Sequence, residues 1–419
     1  MEVKPGYRQT DVGVIPEEWE SSTVRGIASS ARNAIVGGPF GSDLVSRDYV
    51  EHGVPVIRGQ NMSGQWVSGN FVFVTPAKAK SLVANLARPG DIVFTQRGTL
   101  GQVSLVPEKP FESYLVSQSQ MKLSVNREAA DPLFFFYVFT SEEQQELIRG
   151  GTIQTGVPHI NLGILRDIPV QLPPLPEQRA IAGALSEVDA LIGALDQLIA
   201  KKRDFKHAAM QQLLTGQRRL PGFHRGWEVK RLGELAEIIS GGTPKTGEPS
   251  YWNGSIKWCT PTDITGCSAK YLVDTERAIS ADGLASCSAQ LLPIGSLLLC
   301  SRATIGEVRI AGCEICTNQG FKSLVCMPGV SNEFLYYKLL TMKSQMIERA
   351  IGSTFLEISK KDTAALELSI PEHAEQTAIV EVLSDMDAEL AALRQRRDKT
   401  RALKQGMMQE LLTGRTRLV

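Results

Sequence analysis

The stretch from Pro176 to Leu220 occurs twice: residues 374–418 repeat it at a constant offset of 198 with no gap. The offset carries Glu177-Gln178 onto Glu375-Gln376, Asp189 onto Asp387, and Leu213-Leu214-Thr215-Gly216 onto Leu411-Leu412-Thr413-Gly414. About half of the aligned positions are identical. A repeat this long dictates that the chain contains two supersecondary units of one kind, each needing a surface on which to bury its apolar stripe.

Each copy reads as one long helix. Apolar residues fall at Ile181, Leu185, Val188, Ile192, Leu195 and Ile199, alternating steps of four and three, which is a heptad seam. The second copy keeps it at Ile379, Leu383, Met386, Leu390 and Leu393. Both cross a charged middle, Lys201 to Lys206 and Arg394 to Arg401, and recover at Phe205, Ala209, Leu213 and at Leu403, Met407, Leu411. The two charged runs are expected to lie opposite one another in an antiparallel pair. Gly216 and Gly414 follow the last apolar residues, where a glycine takes the left-handed conformation that ends a helix. A helix from Glu177 to Leu214 would be roughly 55 Å long at about 1.5 Å per residue, so it is a spacer as well as a packing element. The obvious partner for the first stripe is the second, and the simplest alternative is a dimerisation coiled coil.

The remaining sequence forms two globular segments that also look like diverged copies. Each opens on a tryptophan, Trp19 or Trp227, and reaches a glycine-rich turn, Gly37 to Ser42 or Ser240 to Pro244. A short strand then runs into polar residues, Arg58-Gly59-Gln60-Asn61 in one and Thr260-Pro261-Thr262-Asp263 in the other. Next, an apolar strand ends in an arginine, Gln96-Arg97 or Ser301-Arg302. A polar cluster follows, Ser117-Gln118-Ser119-Gln120 or Thr317-Asn318-Gln319-Gly320, and later a polar loop near Gln154 or Thr354. Short strands broken by Gly and Pro, with one or two helices, predict mixed domains dominated by sheet. The expected order is globule 1–175, helix 176–220, globule 221–371, helix 372–419: an α+β chain with two sheet-rich globules joined by antiparallel helices and a pseudo-twofold repeat.

Composition removes several classes. Lys+Arg and Asp+Glu number 45 each, so total charge does not advertise a polyanion partner, and any such contact must come from local clustering or from partner subunits. No apolar run is long enough to span a bilayer and the start lacks a signal-peptide core, which predicts a cytoplasmic protein without membrane contact. All seven cysteines lie between Cys259 and Cys326; Cys313-Glu314-Ile315-Cys316 has metal-ligand spacing but no second pair, so free thiols and no metal are expected. There is no Walker lysine loop, GxSxG or HExxH, and the histidines are scattered singly, so no catalytic residues are assigned. The turn Gly37-Gly38-Pro39-Phe40-Gly41 lacks the lysine of a phosphate loop.

The polar clusters carry another chemistry. Arginine pairs with guanine, and Asn or Gln with adenine, in the major groove; such side chains recur at corresponding loop positions of both globules. Two residue sets on one frame look like two readers of different sequences.

At this point the chain resembles the specificity subunit (HsdS) of type I restriction-modification enzymes, in which two target-recognition domains are each followed by a helical repeat with a (P)xEQxxI start and an LLTGxxRL end. Gly241-Gly242-Thr243-Pro244 with Tyr251-Trp252-Asn253-Gly254, Ile256 and Trp258 is similar to one frequent opening of these domains, and Phe40-Gly41-Ser42 with Gly53, Val54, Pro55 and Ile57-Arg58-Gly59 to another. The second repeat departs from the pattern by keeping only Pro371 of the proline run Leu172 to Pro176. The resemblance implies a non-catalytic subunit that binds a bipartite site on double-stranded DNA, one half per domain. It implies docking to modification subunits, which carry S-adenosylmethionine, and to restriction subunits, which use ATP and Mg; no cofactor belongs to this chain. Expected DNA-binding residues are Phe40, Ser42, Arg58, Gln60, Asn61, Gln96, Arg97, Gln118, Gln120 and Gln154 in the first globule. In the second they are Thr243, Lys245, Thr262, Arg302, Thr317, Asn318, Gln319 and Thr354. Leu213, Leu214, Leu411 and Leu412 are expected to dock subunits. The alternatives are a coiled-coil scaffold without DNA affinity, a stand-alone DNA-binding protein, and a nucleotide-binding enzyme using the glycine turns.

Overall fold

A computed structural model describes residues 5–153, 158–352 and 356–418. The two repeats form helices over Leu175–Leu213 and His373–Leu411, of 39 residues each. Both end as the glycines predict, with Gly216 at φ +73° and Gly414 at φ +69°.

The chain divides into two compact units, and the divide passes through both helices rather than between helix and globule. One unit is Met1–Asp196 with Gln395–Val419, the other Gln197–Arg394. Each unit therefore contains one globule, the near half of one helix and the far half of the other. In the first, Ile181 and Leu185 from the start of the first helix share a core with Leu411 and Leu412 from the end of the second. In the second, Ile379 and Leu383 share a core with Leu213 and Leu214. The expectation that these four leucines dock subunits is thus corrected: they are at most 6% exposed, and their apolar surface is used by the chain's own cores.

The charged middles also sit differently from expectation. Within the first unit Arg397 and Arg401 face Asp196, at 3.3 and 2.9 Å, and Lys404 faces Asp189 at 2.7 Å. Within the second, Lys202 faces Glu389 at 2.7 Å and Lys206 faces Asp387 at 2.5 Å. The antiparallel register sets each basic run against acidic residues of the other helix and not against the other basic run. Phe205 and Leu403, one repeat step apart, fall outside the seam and are 56% and 61% exposed.

The globule of the first unit holds a four-stranded and a five-stranded sheet, with the helix Pro132–Thr140 buried against the four-stranded one through Phe134, Phe135 and Phe139. The second holds a five-stranded and a three-stranded sheet and the equivalent helix Asn332–Thr341, which buries Phe334, Leu335, Tyr337 and Leu339. Aspartate and serine caps start these helices: Asp131 accepts from the N–H groups of Leu133 and Phe134, and Ser331 from that of Phe334.

Candidate nucleic-acid interface

Strand pairing gathers the polar loops. In the first unit Val54–Ile57 and Tyr114–Val116 are parallel, with Val116 opposite Ile57, so the chain leaves both strands at one edge of the sheet. Gln120 begins its strand opposite Thr95, where another ends, and Met121 lies opposite Gly37, where a third ends. The loops after Gly37, Ile57, Thr95 and Val116 therefore converge. The second unit repeats the arrangement: Cys259 is parallel to Thr317, Ser240 lies opposite Lys322, and Cys300 bridges to Phe321.

Backbone contacts weld each cluster. Ser117 N donates to Ile57 O at 3.0 Å and Gln96 N to Ser119 O at 2.7 Å; Asn318 N donates to Cys259 O at 3.0 Å and Ser301 N to Gly320 O at 2.7 Å. A Cβ added at Gly38 would lie 1.9 Å from Ser117 O, and one at Gly241 would lie 2.1 Å from Asn318 O. The glycine-rich turns thus serve close approach of backbone to backbone, a purpose that needs no phosphate.

Side-chain directions sort the expected readers. Asn61 is 1% exposed and fully bonded, accepting from Arg58 N and donating to Ser68 O and Asn70 O, so its expected base contact is corrected to a structural role. Gln120, also 1% exposed, bonds the Ser117 hydroxyl and is set between Ile57 O and Gly59 N, and is corrected likewise. Thr317 is buried too and leaves the surface for the same reason. Gln118 donates to Leu44 O at 2.6 Å and to Gly41 O at 3.3 Å, tying down the loop that displays Phe40 and Ser42. Asn318 accepts from Gly320 N at 2.8 Å, holding its own turn. Gln96 and Arg58 are half-buried, and the Arg58 Nε is buried without a hydrogen-bond partner among the described residues.

Phe40, Ser42, Gln60 and Arg97 remain exposed at the first edge, although Gln60 also donates to Asn70 O at 3.2 Å. Lys245, Thr262 and Gln319 are exposed at the second, where the Thr243 hydroxyl donates to the Gln319 amide oxygen. Arg302 is there as well, but ion-paired to Glu357. Gln154 and Thr354 lie outside the described residues.

Two features were missed from sequence. Exposed Arg277 stacks 3.7 Å over the Trp252 ring and lies 5.2 Å from that of Trp258, opposite which it sits in the sheet. The even spacing of the two tryptophans marks one face of a strand, but nothing near Arg277 signals its place there. The other feature is a buried lysine in the corresponding strand of each unit, one residue out of step in the register: Lys122 meets Asp91 at 3.2 Å, and Lys322 meets Glu357 at 3.1 Å. The CxxC thiols diverge, Cys313 donating to Val273 O and Cys316 to Lys257 O, and burial pushes the Cys316 thiol up to about 12. Among the described residues no cluster of His, Cys, Asp or Glu could hold a metal ion, and no helix is long and apolar enough to cross a membrane.

The comparisons agree with this duplicated plan. The family model for the type I restriction modification DNA specificity domain matches residues 16–201 and 224–400. The MjaX specificity subunit of Methanocaldococcus jannaschii is 24% identical across 98% of this chain and 97% of its own length. The MjaIX specificity subunit of the same organism reaches 38% identity, over 39% of this chain and 38% of its own length. The EcoR124I/EcoR124II specificity subunit of Escherichia coli is 27% identical over 53% of this chain and 56% of its own. Among solved structures, the S subunit from M. genitalium superposes with a TM-score of 0.58 at 16% identity, covering 98% of each chain. A chain from a study of assembly and conformational transition of the type I R-M system gives 0.62 at 20% identity, covering 96% of this chain and 99% of its own. With its domain found twice, once per globule, this chain belongs to the family of type I restriction-modification DNA specificity subunits.

Proposed function

We propose that this chain is the non-catalytic, sequence-reading subunit of a cytoplasmic type I complex, and that it reads a bipartite target on double-stranded DNA with one half-site per unit. The supporting observation is the convergence of four polar loops from the strand ends of two adjoining sheets, built twice on one frame with different side chains. Modification subunits would supply S-adenosylmethionine, and restriction subunits ATP and Mg chemistry; the outer helix faces, where Phe205 and Leu403 stay exposed, are open to such partners. Neutral charge fits this division, because partners that clamp DNA relieve this chain of most phosphate contacts. A scaffold without DNA affinity gives no reason for two different polar sets at equivalent edges.

Co-expression with the modification subunits, purification of the assembly and methylation of duplexes carrying single-base replacements test this reading. A scaffold would neither co-purify with the modification subunits nor direct methylation. Arg97, exposed at the first edge, is expected to read a base there: Arg97→Ala should cost about 1–3 kcal/mol and relax specificity at one position of one half-site. Identical discrimination by wild type and Arg97→Ala at every position would remove Arg97 from the readers.

A further inference from the structure

Arg302 differs from the other exposed cations at the two edges in being held by a carboxylate. Its Nε donates to Glu357 Oε2 at 2.6 Å, and its Nη2 reaches the same oxygen at 2.5 Å. The other oxygen, Oε1, accepts from Lys322 Nζ at 3.1 Å, and Lys322 is itself buried, with Ser301 Oγ at 3.5 Å. Burial alone would raise the Glu357 carboxyl, but the hydrogen bonds from Arg302 and Lys322 outweigh it and hold the group below its ordinary range. The carboxylate thus stays charged and fixes the guanidinium plane.

This engagement is side-on. It uses the Nε–H and the near Nη2–H, and leaves Nη1–H and the far Nη2–H as an end-on fork without a partner among the described residues. The Arg302 side chain is 44% exposed, so the fork has access to solvent at the edge where Gln319 and Lys245 also emerge. In the major groove a parallel pair of donors is matched by the two neighbouring acceptors of guanine, N7 and O6; adenine puts a donor beside its N7 and so rejects the fork. A lone exposed arginine serves equally as a phosphate contact. One locked in plane by a carboxylate has already lost the rotamer freedom that base reading would cost, and the carboxylate repels phosphate.

We infer that Arg302 reads a guanine in the half-site bound by the second unit, with Glu357 and Lys322 as the residues that position it. The inference rests on the proposed reading of bipartite DNA. The equivalent place in the first unit is built otherwise: the register puts Met121 where the second unit has Lys322, and the backbone of Arg97 bridges to His159, where the second unit has Glu357 bridged to Arg302. One frame thus offers two differently equipped readers.

The test uses the assembled methylating complex and a series of duplexes in which each base pair of both half-sites is replaced in turn. Wild type should discriminate at one G·C pair of the second half-site by about tenfold to a hundredfold. Arg302→Ala should abolish discrimination at that pair alone and leave the other half-site untouched. Glu357→Gln and Lys322→Met keep the Arg302 cation but loosen its plane. Both should lower discrimination at the same pair severalfold, with non-specific binding in a salt titration unchanged. A merely structural role would instead weaken all positions together, and that result overturns the inference. So does full discrimination by Arg302→Ala, or an effect centred on an A·T pair. A wild-type complex that discriminates nowhere in this half-site would fail the underlying reading, which is a separate outcome.

Discussion

Glu177→Ala is expected to loosen the first unit and Glu375→Ala the second, each by about 3 kcal/mol, the lower end of the loss for breaking a buried ion pair. The Glu177 carboxylate is 3% exposed and accepts from Arg417 Nε at 2.6 Å, Arg417 Nη2 at 2.9 Å and Trp19 Nε1 at 2.9 Å. Glu375 is its counterpart, bonded by Arg219 at 2.6 and 2.7 Å and by Trp227 Nε1 at 3.1 Å. Alanine takes the acceptor from the indole N–H and from the guanidinium Nε–H, leaving Arg417 only Glu18 and Arg219 only the Arg225 carbonyl, in a site the solvent reaches poorly. The arginines are about one-fifth to one-quarter exposed, which is why the lower end applies. For units of this size about 2–4 °C of melting temperature accompanies each kcal/mol, so a drop of about 10 °C is expected by calorimetry. Because Arg417 ties the segment after the second helix to Glu177, Glu177→Ala should also expose the last turns of that helix to limited proteolysis, which Glu375→Ala should not. Unchanged melting in both variants would show that the latch is ornamental.

The second large effect concerns spacing. The first helix crosses from one unit to the other at Asp196 and the second returns at Arg394, so under the proposed reading the helix pair sets the gap between half-sites. An antiparallel seam survives only if whole heptads are added to both strands of the pair, here after Ala200 and after Asp398, positions one repeat step apart. Each added heptad lengthens the pair by roughly 10 Å at about 1.5 Å per residue, or about three base pairs. Three base pairs also turn the DNA by close to a third of a turn, so affinity should fall while half-site sequences stay the same. Methylation mapping should find the same two half-sites with a longer unread spacer. A spacer unchanged in a normally assembled variant would show that the helices do not set the distance.

The helices were legible because the residues repeated at offset 198 are those that touch the globules. Gln178 accepts from Asp131 N and Gln376 from Ser331 N, both at 2.8 Å; Asp189 accepts from Tyr137 Oη at 2.9 Å and Asp387 from Tyr337 Oη at 2.7 Å. Sequence identity marks such positions but not their partners, so it could not tell that Arg219 closes on Glu375 rather than Glu177. The same limit misassigned the four leucines: heptad spacing reveals a stripe, and only packing reveals what covers it. At the candidate interface the order of loops was legible, since it follows from strand and turn signals. Which amides face out was not, because Gln118 and Gln120 stand two residues apart in one turn and both bond inward, to Leu44 O and to Ser117. Arg277 and Glu357 owe their places to pairings between distant strands and loops, for which the sequence carries no local mark.

Exchange of residues 221–371 for the equivalent segment of a relative with a different target tests the central claim most directly. The helices, and hence the latch residues Glu177, Arg219, Glu375 and Arg417, stay native in this chimera. Sequencing of methylated bases in cells carrying the chimera and its modification subunits should show one half of the target replaced and the other half retained. Both halves changed together, or neither, would contradict one half-site per unit.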